Sequence, residues 1–277
     1  MHTVTLPCGA TVPAYGMGTW HMGDDHNARA EEIATLQLGL DRGATLIDTA
    51  EMYGDGRAEA LIGEAIARRR DAAFIVSKVY PHNATREGAI AACERSLQRL
   101  RTDRIDLYLL HWRDSMPLAE TLEAFAALVR QGKIRHYGVS NLDLADMQEL
   151  WKLTGRKRVQ TDQVLYNLAR RGIEWDLLPW LRARRVPVMA YSPIEQARLL
   201  SHAQLRALAR SYGLTPAQLA LAWLLRHPDV IVIPKTGTRA KLEENLAACD
   251  ARLDANQLAA LDGVFPPPAR AEPLAML

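Results

Sequence analysis

Short apolar runs, each ended abruptly by a polar residue, alternate along the chain with longer stretches in which Ala, Leu and Ile recur at helical spacing. The short runs read as buried strands and the longer stretches as amphipathic helices. One unit shows the grammar clearly. Ala44-Thr45-Leu46-Ile47 is too short for a helix and is followed at once by Asp48. Glu51, Met52 and Tyr53 come next, then Gly54-Asp55-Gly56, a turn signal built on residues that tolerate positive φ. From Arg57 onward the helical period takes over. This is a strand, a loop and a helix, with the polar chemistry at the strand's C-terminal end. Barrels and doubly wound sheets of the α/β class place their active sites there.

The same unit repeats. Strands are predicted at residues 44–48, 73–78, 106–112, 134–140, 159–165, 186–192 and 230–234. Helices are predicted at 29–41, 57–69, 85–100 and 117–131, with another opening at Asn141 or Leu142. Residues 201–212 and 216–226 add an extra helix before the last strand, and Pro7-Cys8-Gly9 forms the turn of a small N-terminal hairpin. Residues 16–20 make a further extended stretch, whose Gly16 and Gly18 signal close approach by another backbone or a ligand. Alternation of this kind predicts a parallel sheet surrounded by helices, and about eight strands close a (β/α)8 TIM barrel. The expected architecture is therefore such a barrel with the hairpin closing its bottom. Without a low-complexity linker, residues 1–277 read as one domain. The tail after Phe265, with Pro266-Pro267-Pro268, cannot continue a helix and is expected to run over the surface.

Composition narrows the function. At 48% hydrophobic and 24% charged, the chain is of ordinary globular type. A net charge of +2 provides no strong field for nucleic acid or an anionic membrane. The run Arg68-Arg69-Arg70 is expected to cap the C-terminus of its own helix. No apolar run approaches the roughly 20 residues that span a bilayer. Cys8, Cys93 and Cys249 are far apart and odd in number, so they read as buried small hydrophobes in a reducing, cytoplasmic compartment. His21, His26 and His82 lack metal-ligand spacing, and no metal is expected.

The strand ends carry the chemistry. Apolar runs terminate in Asp48, Lys78, His111-Trp112, Ser140-Asn141, Tyr191-Ser192 and Lys235, and in a parallel barrel all of these face one mouth. Taken singly, Asp48 is an ordinary strand-end acid, His111 a core histidine and Lys78 a rim lysine with a packed stem. Together with Tyr53 they make a reaction set. A phenol of pKa near 10 is a poor acid at neutral pH, and an adjacent ammonium lowers it. Asp48 would hold Lys78 charged, and His111 would donate a hydrogen bond to a carbonyl oxygen. A polarised carbonyl beside a proton donor, with no nucleophilic Ser or Cys arrangement, points to reduction by an external hydride.

With these residues in view, the chain resembles the aldo-keto reductases from about residue 4 to 265. The matching motifs, in order, are Gly16-Met17-Gly18-Thr19-Trp20, Asp48-Thr49-Ala50-Glu51-Met52-Tyr53-Gly54, Val76-Ser77-Lys78, Leu109-Leu110-His111-Trp112, Gly138-Val139-Ser140-Asn141, Gln163, Ala190-Tyr191-Ser192-Pro193 and Ile233-Pro234-Lys235. The resemblance implies Tyr53 as general acid, Lys78 and Asp48 as its tuning pair, and His111 as the residue that orients substrate. It implies Ser140, Asn141 and Gln163 on a nicotinamide amide and Tyr191 stacked on its ring. Thr19, Asp48 and Ser192, with Gly18 and Trp20 of the first motif, would line the sugar and pyrophosphate. Trp20 and Trp112 would wall the substrate pocket beside Tyr53 and His111. Within the family, the stretches around Tyr53, Lys78 and Tyr191 most resemble bacterial reductases of small aldehydes such as methylglyoxal.

Lys235-Thr236-Gly237-Thr238-Arg239-Ala240-Lys241 follows the last strand and enters a helix, whose N-terminus suits a phosphate. Many relatives carry Arg where this chain has Lys241, and Lys lacks the bidentate fork. Arg239 is expected to compensate, so NADPH is expected, with NADH weaker. Glu244 and Asn245 match adenine contacts of the family. The loops at 113–117 and 194–199 and the tail at 266–277 look short, which implies an open pocket for a small-molecule carbonyl substrate. A monomer or weak homo-oligomer is expected. Two other readings compete: a nucleotide-binding regulatory barrel without turnover, and a Schiff-base aldolase acting through Lys78.

Overall fold

The computed structural model describes residues 1–154 and 159–277. It opens with a hairpin of β1 (Thr3–Thr5) and β2 (Thr11–Pro13), in which Val4 pairs with Val12. The eight strands that follow are β3 (Met17–Gly18), β4 (Leu46–Asp48), β5 (Phe74–Val79), β6 (Ile105–Leu110), β7 (Ile134–Ser140), β8 (Val159–Leu165), β9 (Val188–Tyr191) and β10 (Val230–Val232). Each pairs in parallel with the next in chain order. The ring closes between its first and last members: Gly16 N donates to Val232 O at 2.8 Å, Val232 N to Ala14 O at 2.8 Å and Gly18 N to Pro234 O at 3.1 Å. Glycine is required at that seam, because a Cβ on Gly18 would lie 2.6 Å from the Ile233 carbonyl oxygen. The predicted (β/α)8 barrel is present.

Period-two alternation sorts the strand residues into two cores. Leu46, Val76, Leu107, Leu109, Met189 and Ile231 meet inside the ring, and Val4, Leu6 and Val12 of the hairpin pack against them from below. Tyr108 and Leu110 point outward against the helices. Strands buried on both faces need no polar face, hence the continuous apolar runs. The helices are α1 (Arg29–Asp41), α2 (Arg57–Ala65), α3 (Arg86–Leu100), α4 (Leu118–Arg130), α5 (Leu144–Thr154), α6 (Leu177–Ala183), α7 (Ala203–Ser211), α8 (Pro216–Leu225), α9 (Arg239–Ala247) and α10 (Ala255–Val264). Both α7 and α8 lie between β9 and β10, as the pattern predicted. Thr215 opens α8 with a reciprocal cap, accepting from Gln218 N while Gln218 Oε1 accepts from Thr215 N. Among the described residues no helix is long and apolar enough to cross a membrane.

Three expectations need correction. The helix after β7 opens at Leu144, not at Asn141 or Leu142, because Asn141 has φ 57° and Asp143 Oδ1 accepts the Asp146 N–H. The arginine run does not cap its own helix, since α2 ends at Ala65. Arg69 instead reaches Gln37 O and Asp41 at the end of α1, and Arg70 holds Ala73 O, Arg104 O and the buried Asp106. Cys93 and Cys249 are buried, but Cys8 is exposed, because it stands in the hairpin turn.

One buried acid stands outside every polar network. Asp162 on β8 is fully buried between Val139 of β7 and Val188 of β9, and neither carboxylate oxygen has a hydrogen-bond partner. Burial pushes its carboxyl well above the ordinary value; the Leu142 amide works the other way without closing a hydrogen bond, and Asp146 and Asp143 add to the rise. A folded value above the unfolded one means that this group favours folding only at low pH and loses that contribution as pH rises through the folded value. Asp162→Asn is therefore expected to raise the thermal midpoint at neutral pH and to flatten its fall above about pH 4. A lower midpoint for the variant in pH-resolved thermal melts would reject this account.

Candidate active site

The interior alternation that builds the apolar floor also places the polar layer above it. Two residues beyond Leu46, Val76 and Leu109 come Asp48, Lys78 and His111; two beyond Thr161 and Met189 come Gln163 and Tyr191. One more step along each strand thus carries the chain from floor to mouth. Lys78 is fully buried there. Its Nζ donates to Asp48 Oδ2 at 2.8 Å, to Thr49 O at 2.9 Å and to Tyr53 OH at 3.0 Å, which uses all three ammonium hydrogens. Gln163 Nε2 donates to the other Asp48 oxygen at 2.8 Å. Thr19 Oγ1 bonds the Asp48 carbonyl at 2.9 Å, tying β3 to the same point.

Tyr53 arrives on a 3-10 turn, Tyr53–Gly56, in which Gly54, Asp55 and Gly56 have φ of 56°, 51° and 86°. This left-handed run reverses the chain between β4 and α2, and the two glycines adopt it at little cost. Burial pulls the Lys78 ammonium down, but Asp48 and Tyr53 outweigh it and hold the group above its ordinary value. The phenol departs from expectation. Burial pushes Tyr53 above the ordinary tyrosine value, and the opposing pull of Lys78 does not overcome it. The ammonium acts as a counterweight rather than a net depressor, so the phenol is held protonated.

His111 caps β6, with its backbone N–H on Val79 O and its carbonyl on Asn141 Nδ2. Burial, assisted by the charge of Lys78, lowers its pKa to about 2, so the ring is neutral. Its Nδ1 is buried without a partner, and a hydrogen there would have no acceptor. The hydrogen therefore belongs on Nε2, the nitrogen left to meet the cavity. The rings of His111 and Tyr53 stand edge to face, 6.0 Å apart.

Above this layer opens a cavity of about 540 Å³. Of the expected residues, Gly18, Thr19, Trp20, Asp48, Tyr53, His111, Trp112, Ser140, Asn141, Gln163, Tyr191, Ser192 and Lys235 all line it, and Lys78 lies beneath. Asn141 is the hub of one wall: its Nδ2 reaches His111 O and Ser140 Oγ, and its Oδ1 accepts from Tyr191 OH at 3.0 Å. The positive φ that displaced the helix start is what turns this amide inward. Met52, Ile194, Gln196, Ala197, Met276 and Leu277 also line the cavity. The first is betrayed only by its place beside Tyr53, and the last two sit in an aperiodic tail. The tail therefore covers part of the mouth that its shortness suggested would be open. Residues 113–117 contribute nothing to the lining, and Arg113 turns away to pair with Asp146 and Glu149 on α5.

The stretch expected to hold the nucleotide continues from Lys235 beyond the cavity. Thr236 is buried with its hydroxyl beside Tyr15 OH, and Thr238 gives α9 no side-chain cap; Glu31 Oε1 takes the first N–H, that of Arg239, and the next N–H groups with the dipole end suit an anion. Lys235 and Lys241 are exposed, Gly237 and Glu244 half-buried, and Asn245 buried. Arg239, expected beside the phosphate, has its backbone N–H and its guanidinium both bonded to Glu31. Among the described residues no cluster of His, Cys, Asp or Glu is placed to hold a metal ion.

The Aldo/keto reductase family model matches residues 14–265. Methylglyoxal reductase YeaE of Escherichia coli (strain K12) is 51% identical over 263 residues, covering 93% of each chain. Methylglyoxal reductase DkgB of Salmonella typhimurium is 31% identical, covering 91% of this chain and 94% of its own. A crystal structure of an aldo/keto reductase from Klebsiella pneumoniae in complex with NADP and acetate superposes with a TM-score of 0.96 at 50% identity, covering 99% of each chain. A second structure of an aldo-keto reductase from that organism, in complex with NADPH, gives the same TM-score and identity over 100% of this chain and 99% of its own. With the ring of eight strands, the polar layer at its mouth and a family match over most of its length, this chain belongs to the aldo/keto reductase family.

Proposed function

We propose that this protein is an NADPH-dependent reductase of aldehydes and ketones, with small 2-oxo aldehydes such as methylglyoxal among its substrates. The observation that carries the reading is the ammonium of Lys78, bonded at once to Asp48 and to the Tyr53 hydroxyl under a neutral His111. When bound, NADPH supplies the hydride. His111 Nε2–H donates to the carbonyl oxygen and polarises it. As negative charge builds on that oxygen, Tyr53 gives up its proton, and Lys78 stabilises the phenolate left behind. Asp48, Thr49 and Gln163 keep Lys78 and its partner from moving. Burial, which raises the phenol's pKa, keeps the donor loaded until the substrate oxygen demands the proton.

Ser140, Asn141, Gln163 and Tyr191 are read as the holders of the nicotinamide. Gly18, Thr19, Trp20, Asp48 and Ser192 are assigned to the sugar and pyrophosphate. Lys235, Thr236, Gly237 and Lys241 take the 2′-phosphate, and Glu244 and Asn245 the adenine. The N–H groups that follow Arg239 at the start of α9, and the helix dipole there, support that end of the assignment. Trp20, Met52 and Trp112 wall the substrate side, with Met276 and Leu277 opposite. Similarity to proteins named methylglyoxal reductases supports the substrate class, and the Klebsiella complexes support the cofactor. The aldolase reading is disfavoured, since a Schiff base needs a neutral amine and Lys78 is held as an ammonium by three acceptors. The same proposal takes residues 1–277 as one domain acting in a reducing cytoplasm, as a monomer or weak homo-oligomer.

Tyr53→Phe is expected to lower turnover of methylglyoxal by about 10²–10⁴-fold while leaving the NADPH dissociation constant within about twofold. Comparable turnover, followed by nicotinamide absorbance, would remove Tyr53 as the acid. His111 is expected to stay neutral between about pH 5 and 9 in imidazole NMR, assigned by its loss in His111→Asn. With its folded value below the unfolded one, neutral His111 favours folding above about pH 6.5 and loses that contribution as pH falls. A titration midpoint near 6.5 in the folded protein would contradict the neutral-donor role. Lys241→Glu is expected to weaken NADPH by about tenfold or more and NADH by less than about twofold. Equal losses would show that this side chain does not read the 2′-phosphate.

A further inference from the structure

Three cations surround the start of α9, and one of them is already taken. Lys241 is exposed and has no ion-pair partner among the described residues. Arg239 is held by Glu31, which stands in the first turn of α1, the helix packed beside α9. Glu31 Oε1 accepts from Arg239 Nε at 3.2 Å and from its backbone N–H at 3.1 Å, and Oε2 accepts from Nη2 at 3.0 Å. A carboxylate thus occupies both an arginine fork and the first N–H of a helix, the two features best suited to a phosphate. Glu32, its neighbour, lies against Gly237 and takes the Gly23 N–H at 2.9 Å. Acidic side chains of α1 therefore face the loop from which α9 starts.

We infer that Glu31 is a specificity-determining residue that withdraws Arg239 and the first N–H of α9 from the nucleotide's 2′-phosphate. This rests on the reading of residues 235–245 as the nucleotide end. Glu31 acts twice against a phosphate, by removing a cation and by adding an anion beside it. The chain then tells NADPH from NADH through Lys235, Thr236 and Lys241, and lysines supply point charges without the fork that an arginine offers. The Arg239 pair is on the surface, so it exchanges readily and salt screens it. Relieving Glu31 of its charge, without changing its size, returns Arg239 to the phosphate and sharpens the preference for NADPH.

The test is calorimetric titration of NADPH and of NADH into the wild type, Glu31→Gln, Arg239→Ala and the double variant, at low and high salt. Glu31→Gln is expected to tighten NADPH by roughly threefold to tenfold and to move NADH by less than about twofold, with the gain shrinking at high salt. Arg239→Ala alone is expected to leave the NADPH to NADH ratio within about twofold, and in the double variant the gain disappears. An unchanged ratio in Glu31→Gln overturns the inference. So does a selective loss of NADPH in Arg239→Ala alone, because Arg239 would then read the phosphate despite its partner. A wild type that binds neither nucleotide would overturn the reductase reading and this inference together, whereas the ratio tests reach the inference alone.

Discussion

A charged amine with no exposure to water is a costly thing to fold around. Moving an isolated ammonium into a protein interior costs several kcal/mol even after relaxation, and it is tolerated only where every hydrogen finds an acceptor. Lys78 meets that condition with Asp48, Thr49 O and Tyr53 OH, all within 3.0 Å. Those three partners come from β4 and the loop after it, while Asp48's remaining oxygen is tied to β8 through Gln163. The constraint propagates outward. β4 and β5 must be in register to within a residue, the turn after Tyr53 must adopt its left-handed course, and the ring must close at Gly18 so that Thr19 can hold Asp48 from the other side. Removing one member of such a buried pair leaves an uncompensated charge worth about 3–5 kcal/mol.

This arrangement explains why so much of the site was legible from the chain alone. Buried parallel strands show as uninterrupted apolar runs, and a polar residue ending such a run has few places to go other than the barrel mouth. Lys78, His111 and Tyr191 announce themselves that way, each following an interior apolar residue by two positions, whereas Gln163 lies inside a mixed strand and is found only through the family resemblance. What stayed hidden depends on partners far away in sequence or on backbone conformation. Nothing local says that Asn141 takes a positive φ, yet that angle delays α5 and turns the amide into the cavity. Nothing around Arg239 names Glu31, which lies 208 residues earlier. Met276 and Leu277 have no periodicity to read, since the tail is held by where it lands and not by its own hydrogen-bond pattern.

The phenol shows a different limit. The residue types imply that an ammonium beside a tyrosine lowers its pKa, and the direction of that single interaction is right. Burial is a second effect of opposite sign, and the fold encloses the phenol so fully that burial wins. The outcome changes the chemistry from a phenol half-way to ionisation into one that stays loaded. In the proposed reaction this is the more useful state for a donor, because the proton leaves only when charge on the substrate oxygen compensates for the charge left on Tyr53. The neutral His111 fits the same logic: an uncharged donor polarises a carbonyl without adding another cation beside Lys78.

Under the proposed function the two ends of the site therefore use cations in opposite ways. Lys78 is buried and its three hydrogens are all bonded, as a group must be if it is to stabilise charge at a fixed place without reorganising. Arg239 and Lys241 are exposed, where pairs are weak and partners exchange with solvent and salt. A nucleotide that arrives and leaves in every cycle needs contacts of the second kind, since a desolvated, saturated cation would release it slowly. The Glu31–Arg239 pair is the surface counterpart of Asp48–Lys78. Each carboxylate fixes the position of one cation, but only the buried pair is committed, and the exposed one leaves room for substitution to alter cofactor preference without touching the reacting groups.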